Sequence, residues 1–134
     1  MMNLKKGFTL TEILIVVVII GILAALALPR FMRQDERGIV AEAVAMLSAI
    51  RQAEESYRLE NSVTTYATDL SATGPLGVDV SSSTKFTYAV DGTSGTATAT
   101  RTPAGACTST DFGSCTITLT SAGVWGGTHP FRPT

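Results

Sequence analysis

The chain has 134 residues, 45% of them apolar and 16% charged, with a formal net charge of −1. That length suits one domain, and the balanced charge lacks the basic footprint of a nucleic-acid binder working through bulk electrostatics. The apolar residues are unevenly placed: the first third holds nearly all the Ile, Leu and Val, and the remainder is rich in Thr, Ser, Gly and Ala.

Residues 1–7, MMNLKKG, set Lys5 and Lys6 directly before an apolar run. Positive charge in that place holds the preceding end in the cytoplasm. Thr9 to Leu28 would form roughly 30 Å of helix at ~1.5 Å per residue, enough to span a bilayer core. Glu12 stands just before the unbroken apolar stretch Ile13–Leu28, and a carboxylate at membrane depth is costly without a partner. The run closes on ALALPRF, in which Ala25–Leu26–Ala27 fits the A-x-A pattern of a signal-peptidase site. Cleavage there would release a soluble domain. Glu12, and the helical pattern that resumes after Pro29, weigh against it.

From Ile39 to Leu59, apolar residues recur at Ile39, Ala43, Leu47, Ile50 and Tyr57, with Val40, Val44 and Met46 alongside. That is the spacing of a buried helical stripe. Pro29 removes one backbone hydrogen bond and kinks a helix without necessarily ending it. The pattern therefore predicts one long, interrupted helix from about Thr9 to Asn61, on the order of 80 Å if unbroken. A rod protruding from a small head is the expected shape, and its apolar half must sit in a bilayer or against copies of itself.

After Asn61, turn residues and a serine cluster predict a long connection. Strands are expected at Lys85–Val90, Thr96–Arg101 and Cys115–Thr120, with a turn at Asp91–Gly95 and a short edge strand in the Gly- and Pro-rich tail. The fold class is α+β: a long N-terminal helix packed on an antiparallel sheet of three to four strands. Phe86, Tyr88, Ile117, Leu119 and Trp125 are the expected sheet–helix interface. Cys107 and Cys115 allow one intrachain pairing or two free thiols, and export across a membrane favours the pairing. His129 reads as a lone exposed histidine in the tail, and no second ligand accompanies it, so no metal is expected. Asp79, Asp91 and Asp111 are scattered among turns, where aspartate serves turn chemistry. No phosphate loop, catalytic triad or carboxylate pair appears; neither enzyme activity nor a cofactor is expected.

The stretch KKG followed by FTLTEILIVVVIIGILAALALPRF (Phe8–Phe31) resembles the N-terminus of type IV pilins and their pseudopilin relatives. The resemblance is strong over about Lys5 to Arg33 and extends weakly to Asn61. It rests on the basic leader, the Gly7–Phe8 junction, a Glu four residues after the Phe, and Gly21 and Pro29. Thr11 departs from it, since the family more often places an apolar residue before the Glu. The resemblance implies that residues 1–7 are a leader, cut between Gly7 and Phe8 by a prepilin peptidase that N-methylates Phe8. Residues 8–28 would then be retained as a membrane and filament-core segment, within a helix over 8–61, and residues 62–134 would form the head.

Cleavage would create an α-amine on Phe8, with a reference pKa of ~7.7–8.0, one helical turn from Glu12. An intrachain pair there would contribute a few tenths of a kcal/mol. The resemblance implies instead that Glu12 pairs with the Phe8 amine of a neighbouring subunit and sets axial register. It also implies loss of helicity between Gly21 and Pro29 in the filament, and a disulfide between Cys107 and Cys115. That loop, TSTDFGS, is shorter than the usual pilin loop and leaves nearly twenty residues beyond it. Major secretion pseudopilins usually carry an acidic calcium site in place of the disulfide, and no such acidic spacing appears here. The expected function is therefore a type IV pilus subunit, with a type II secretion pseudopilin as the alternative.

The expected partners are further copies in a helical filament, the inner membrane before assembly, and prepilin peptidase with the assembly machinery. Surfaces or DNA are possible filament ligands, through adhesion, twitching motility or DNA uptake. The expected location passes from inner membrane to extracellular pilus. A monomeric signal-anchored binding module is the remaining alternative; it would tolerate Glu12→Leu and form no filaments.

Overall fold

A computed structural model describes residues 7–108 and 110–134, with Pro29 and Met32 described through their backbone only. The leader's Lys5 and Lys6 lie outside the described residues. Helix α1 runs over Leu10–Asn61, one residue short of the expected start. Thr9 is its N-cap: the Glu12 N–H donates to Thr9 Oγ1 at 3.2 Å. At the other end Asn61 Nδ2 donates to the Tyr57 carbonyl at 2.9 Å, and Ser62 turns the chain out at φ 51. That is the left-handed stop that commonly ends helices, here without glycine. Gly21 and Pro29 both fall within α1, which is helical at each in this single chain.

The chain divides into two compact units, Met1–Glu36 and Arg37–Thr134. In the second, four strands form an antiparallel meander in the order β1-β2-β3-β4: Phe86–Val90, Ala97–Arg101, Thr116–Leu119 and Trp125–Gly127. The register pairs Tyr88 with Ala99, Ala99 with Ile117, and Ile117 with Gly127. Period-2 alternation sends Phe86, Val90, Ala97, Ala99, Ile117 and Leu119 to one face, where they form a single core with Val40, Ala43, Leu47 and Ile50 of α1. Of the five aromatic and aliphatic residues expected at this interface, Phe86, Ile117 and Leu119 are buried, while Tyr88 and Trp125 are half-buried against the core. Ala97 and Ala99 are also buried in this core.

His129 is fully buried, not exposed. Its ring stacks on Phe112 with centroids 5.6 Å apart, and Phe86 and Phe131 flank it at 6.3 and 6.0 Å. Its Nδ1 accepts the Phe131 N–H at 3.3 Å. Gly and Pro on either side suggest an open tail, yet the aromatic residues brought together by the meander enclose the imidazole.

Candidate assembly site

The N-terminal unit presents apolar surface on every side of the helix. Phe8 is 79% exposed and Leu10 84%, and Ile13 to Leu28 are exposed throughout, even at the β-branched positions. The segment is long and apolar enough to cross a membrane, and none of it is buried. A helix apolar all round finds its partner in lipid or in other protein.

Glu12 is the exception on this surface. Residues Thr9–Leu10–Thr11–Glu12 spell a capping box, and its first half is formed by the Thr9 hydroxyl. The Glu12 N–H also meets the Thr9 carbonyl at 3.1 Å, as does that of Ile13 at 3.3 Å. The Glu12 carboxylate is exposed and makes no hydrogen bond or ion pair among the described residues. Phe8 lies just outside the first turn, so a free amine there would sit beside the positive end of the helix dipole. Around Gly21 there is open space, with nothing within 4 Å of a built Cβ. Among the described residues, no steric demand requires glycine at that position.

In the head, Cys107 and Cys115 are joined by a disulfide. The loop between them is organised by Asp111, whose carboxylate accepts the N–H groups of Ala106 and Gly113, each at 3.0 Å. These two donors, Ala106 first, hold the Asp111 carboxyl below the usual aspartate range.

A second polar site was not legible in the helical stripe. Glu54 continues the buried face one turn after Ile50 and is itself buried. Its Oε2 accepts the Ala67 N–H at 3.1 Å, which ties the long connection back to the helix. Burial pushes its carboxyl up from the ordinary value, opposed by the Ala67 hydrogen bond and the Arg58 charge. Arg58 stacks over the Tyr66 ring at 4.7 Å and donates to its hydroxyl at 3.0 Å. Tyr66 in turn donates its N–H to Gly92 of the β1–β2 turn at 3.0 Å. The position of Glu54 on the i, i+3, i+4 series was the available signal; its charge masked it.

The prokaryotic N-terminal methylation motif matches residues 2–28. A fimbrial protein of Pseudomonas aeruginosa is 51% identical over 59 residues, which cover 44% of this chain and 38% of the relative. The type IV major pilin protein of Neisseria gonorrhoeae is 41% identical over 63 residues, 47% of this chain and 38% of the relative. The type II secretion system core protein G of Escherichia coli K12 is 42% identical over 57 residues, 42% of this chain and 39% of the relative. The chain thus spans about two fifths of the length of the curated relatives it matches.

Proposed function

We propose, from the match of residues 2–28 to the prokaryotic N-terminal methylation motif and the similarity to fimbrial and pilin proteins, that the protein is the structural subunit of a type IV pilus. In this reading a prepilin peptidase cuts between Gly7 and Phe8 and methylates the new amine. Residues 8–28 hold the subunit in the inner membrane until assembly. The subunit then joins a helical filament on the cell surface, where Glu12 pairs with the Phe8 amine of a neighbouring copy. The segment between Gly21 and Pro29 gives up helicity on packing. The filament would serve adhesion, twitching motility or DNA uptake.

The observation that carries the reading is the Glu12 carboxylate, without a partner among the described residues, at the head of the segment Ile13–Leu28, whose apolar surface is exposed throughout. Enclosing such a surface around an unpaired carboxylate would cost several kcal/mol. An amine released by cleavage at Gly7 removes that cost and fixes the stagger of neighbouring helices. Glu12→Gln should leave processing intact, with a methylated Phe8 found by mass spectrometry, but should abolish filaments under the electron microscope. Normal filaments from that variant would sink the proposal.

The secretion pseudopilin is the second reading, favoured by the similarity to type II secretion core protein G. The Cys107–Cys115 disulfide supports the pilus over it. Calcium-dependent folding of the head, together with short periplasmic filaments, would reverse that preference.

A further inference from the structure

The face of the sheet turned away from the core is a threonine lattice. Register places Thr87, Thr100 and Thr116 side by side on β1, β2 and β3, with Ala89, Thr98 and Thr118 forming the adjacent row. Thr128 extends the first row, its hydroxyl 3.2 Å from that of Thr116. Gly126 closes the second, and a Cβ there would meet Thr118 Oγ1 at 2.8 Å, so glycine keeps this row flat. Thr87 and Ala89 are exposed and the four central threonines half-buried. No charged residue stands in these two rows, although 16% of the chain is charged. Charges stand at the rim, where Lys85 and Asp91 flank the two ends of β1 and extend its pairing with β2, the Thr102 N–H donating to the Lys85 carbonyl and the Asp91 N–H to the Thr96 carbonyl. The exposed Asp91 carboxylate also accepts the Thr93 N–H at 2.9 Å and the Ser94 hydroxyl at 2.7 Å within the turn.

We infer that this face is a lateral docking surface for a second copy of the same chain. A two-fold axis in the contact plane, perpendicular to the strands and level with Tyr88, lays β1 antiparallel over β1. The Thr87 row of each copy then faces the Ala89 row of the other, and Lys85 of each copy faces Asp91 of the other. The two rim charges are therefore self-complementary in an isologous contact. Aligned sheets pack face to face in this manner, with strand directions within about 30°.

The area sets the strength. Four strands about 4.8 Å apart and two to three rows about 6.8 Å apart give on the order of 300 Å² per copy. A stable dimer needs about 800 Å² per partner. A single pair is therefore weak, and the contact gains effect only where many heads are displayed together. In the cell that display rests on the filament reading proposed above, and the contact would then bundle filaments.

The test does not depend on filaments. The full-length chain is reconstituted at high density in phosphatidylethanolamine–phosphatidylglycerol vesicles, and vesicle clustering is followed by light scattering. The wild-type chain should cluster vesicles, and Thr98→Lys with Thr118→Lys should slow clustering about tenfold or more through lost avidity. Unchanged circular dichroism would show that the head still folds. Lys85→Glu, at an exposed rim position, should also slow clustering, and added salt should restore it, whereas salt should weaken the wild type. Dispersed wild-type vesicles, or a lysine variant that clusters as fast as the parent, would overturn the inference. Filament loss with clustering retained would count against the pilus reading alone.

Discussion

Gly95→Ala tests the clasp that secures the connection after α1. Gly95 stands at φ +67, where a side chain rarely sits, and a Cβ there would fall well inside contact distance of the Tyr66 ring. The left-handed backbone costs about 1–2 kcal/mol for alanine. Forcing the ring aside adds about 1–3 kcal/mol, as for an overpacked core. The Tyr66 ring could not move aside without straining the 3.0 Å bond its hydroxyl accepts from Arg58, and its backbone is fixed by the 3.0 Å N–H bond to Gly92. The total is about 2–5 kcal/mol, which for a unit of this size lowers Tm by roughly 10–30 °C. Thermal melting of the full chain in detergent, followed by circular dichroism, reads the change. Gly95→Asn should recover the backbone share, since asparagine tolerates positive φ. Combining Gly95→Ala with Tyr66→Ala should recover the steric share, so the double variant is more stable than the sum of the single losses. An unchanged Tm for Gly95→Ala, or strict additivity in the double variant, would refute the reasoning.

Three further outcomes follow from the head. Cys107→Ser with Cys115→Ser removes a cross-link spanning 8 positions; by loop-closure entropy this should cost about 2.5 kcal/mol, read as a lower denaturant midpoint. Asp111 is held below the ordinary aspartate value of 3.8, so its contribution to the loop is present above that value and lost as pH falls through its lower folded value. Amide exchange at Ala106 and Gly113 should therefore accelerate only in strong acid relative to the intrinsic rate, and Asp111→Asn should remove that acid dependence. Glu54 has the opposite sign. Its folded pKa lies above the ordinary value of 4.5, so the folded head binds the proton more tightly and gains stability as pH falls through that window. Denaturant midpoints measured from neutral pH down to about 4.5 should rise in the parent and flatten in Glu54→Gln.

The N-terminal motif and the stripe residues Ala43, Leu47 and Ile50 are legible because each is written in adjacent turns of one helix, although Val40 is buried where Ile39 is expected, and Ile39 and Tyr57 are only half-buried. The strands were legible to within a residue, since Thr-rich alternation and turn residues mark both face and end. Glu54 was not, because its value depends on Ala67, 13 residues further on, whose N–H needs an acceptor inside the core. Nor was the burial of His129, which follows from Phe86, Phe112 and Phe131 meeting across the β1, β2–β3 and C-terminal segments. Long-range enclosure of a polar ring leaves no local pattern. The Glu12 site is intermediate: its place is readable from the motif, while the Thr9 hydroxyl that caps the helix there emerges only from the folded geometry.

The exposed segment Ile13–Leu28 has a consequence for reversibility. Lipid tails and the side chains of neighbouring helices are about equally apolar, so transfer from one to the other changes little hydrophobic free energy. A subunit extracted into a filament would leave a solvent and enter its near equivalent. Growth and dissolution would then lie close to balance, and modest work at either end could drive the polymer in either direction. The bilayer would serve as a reservoir to which the same molecule returns intact.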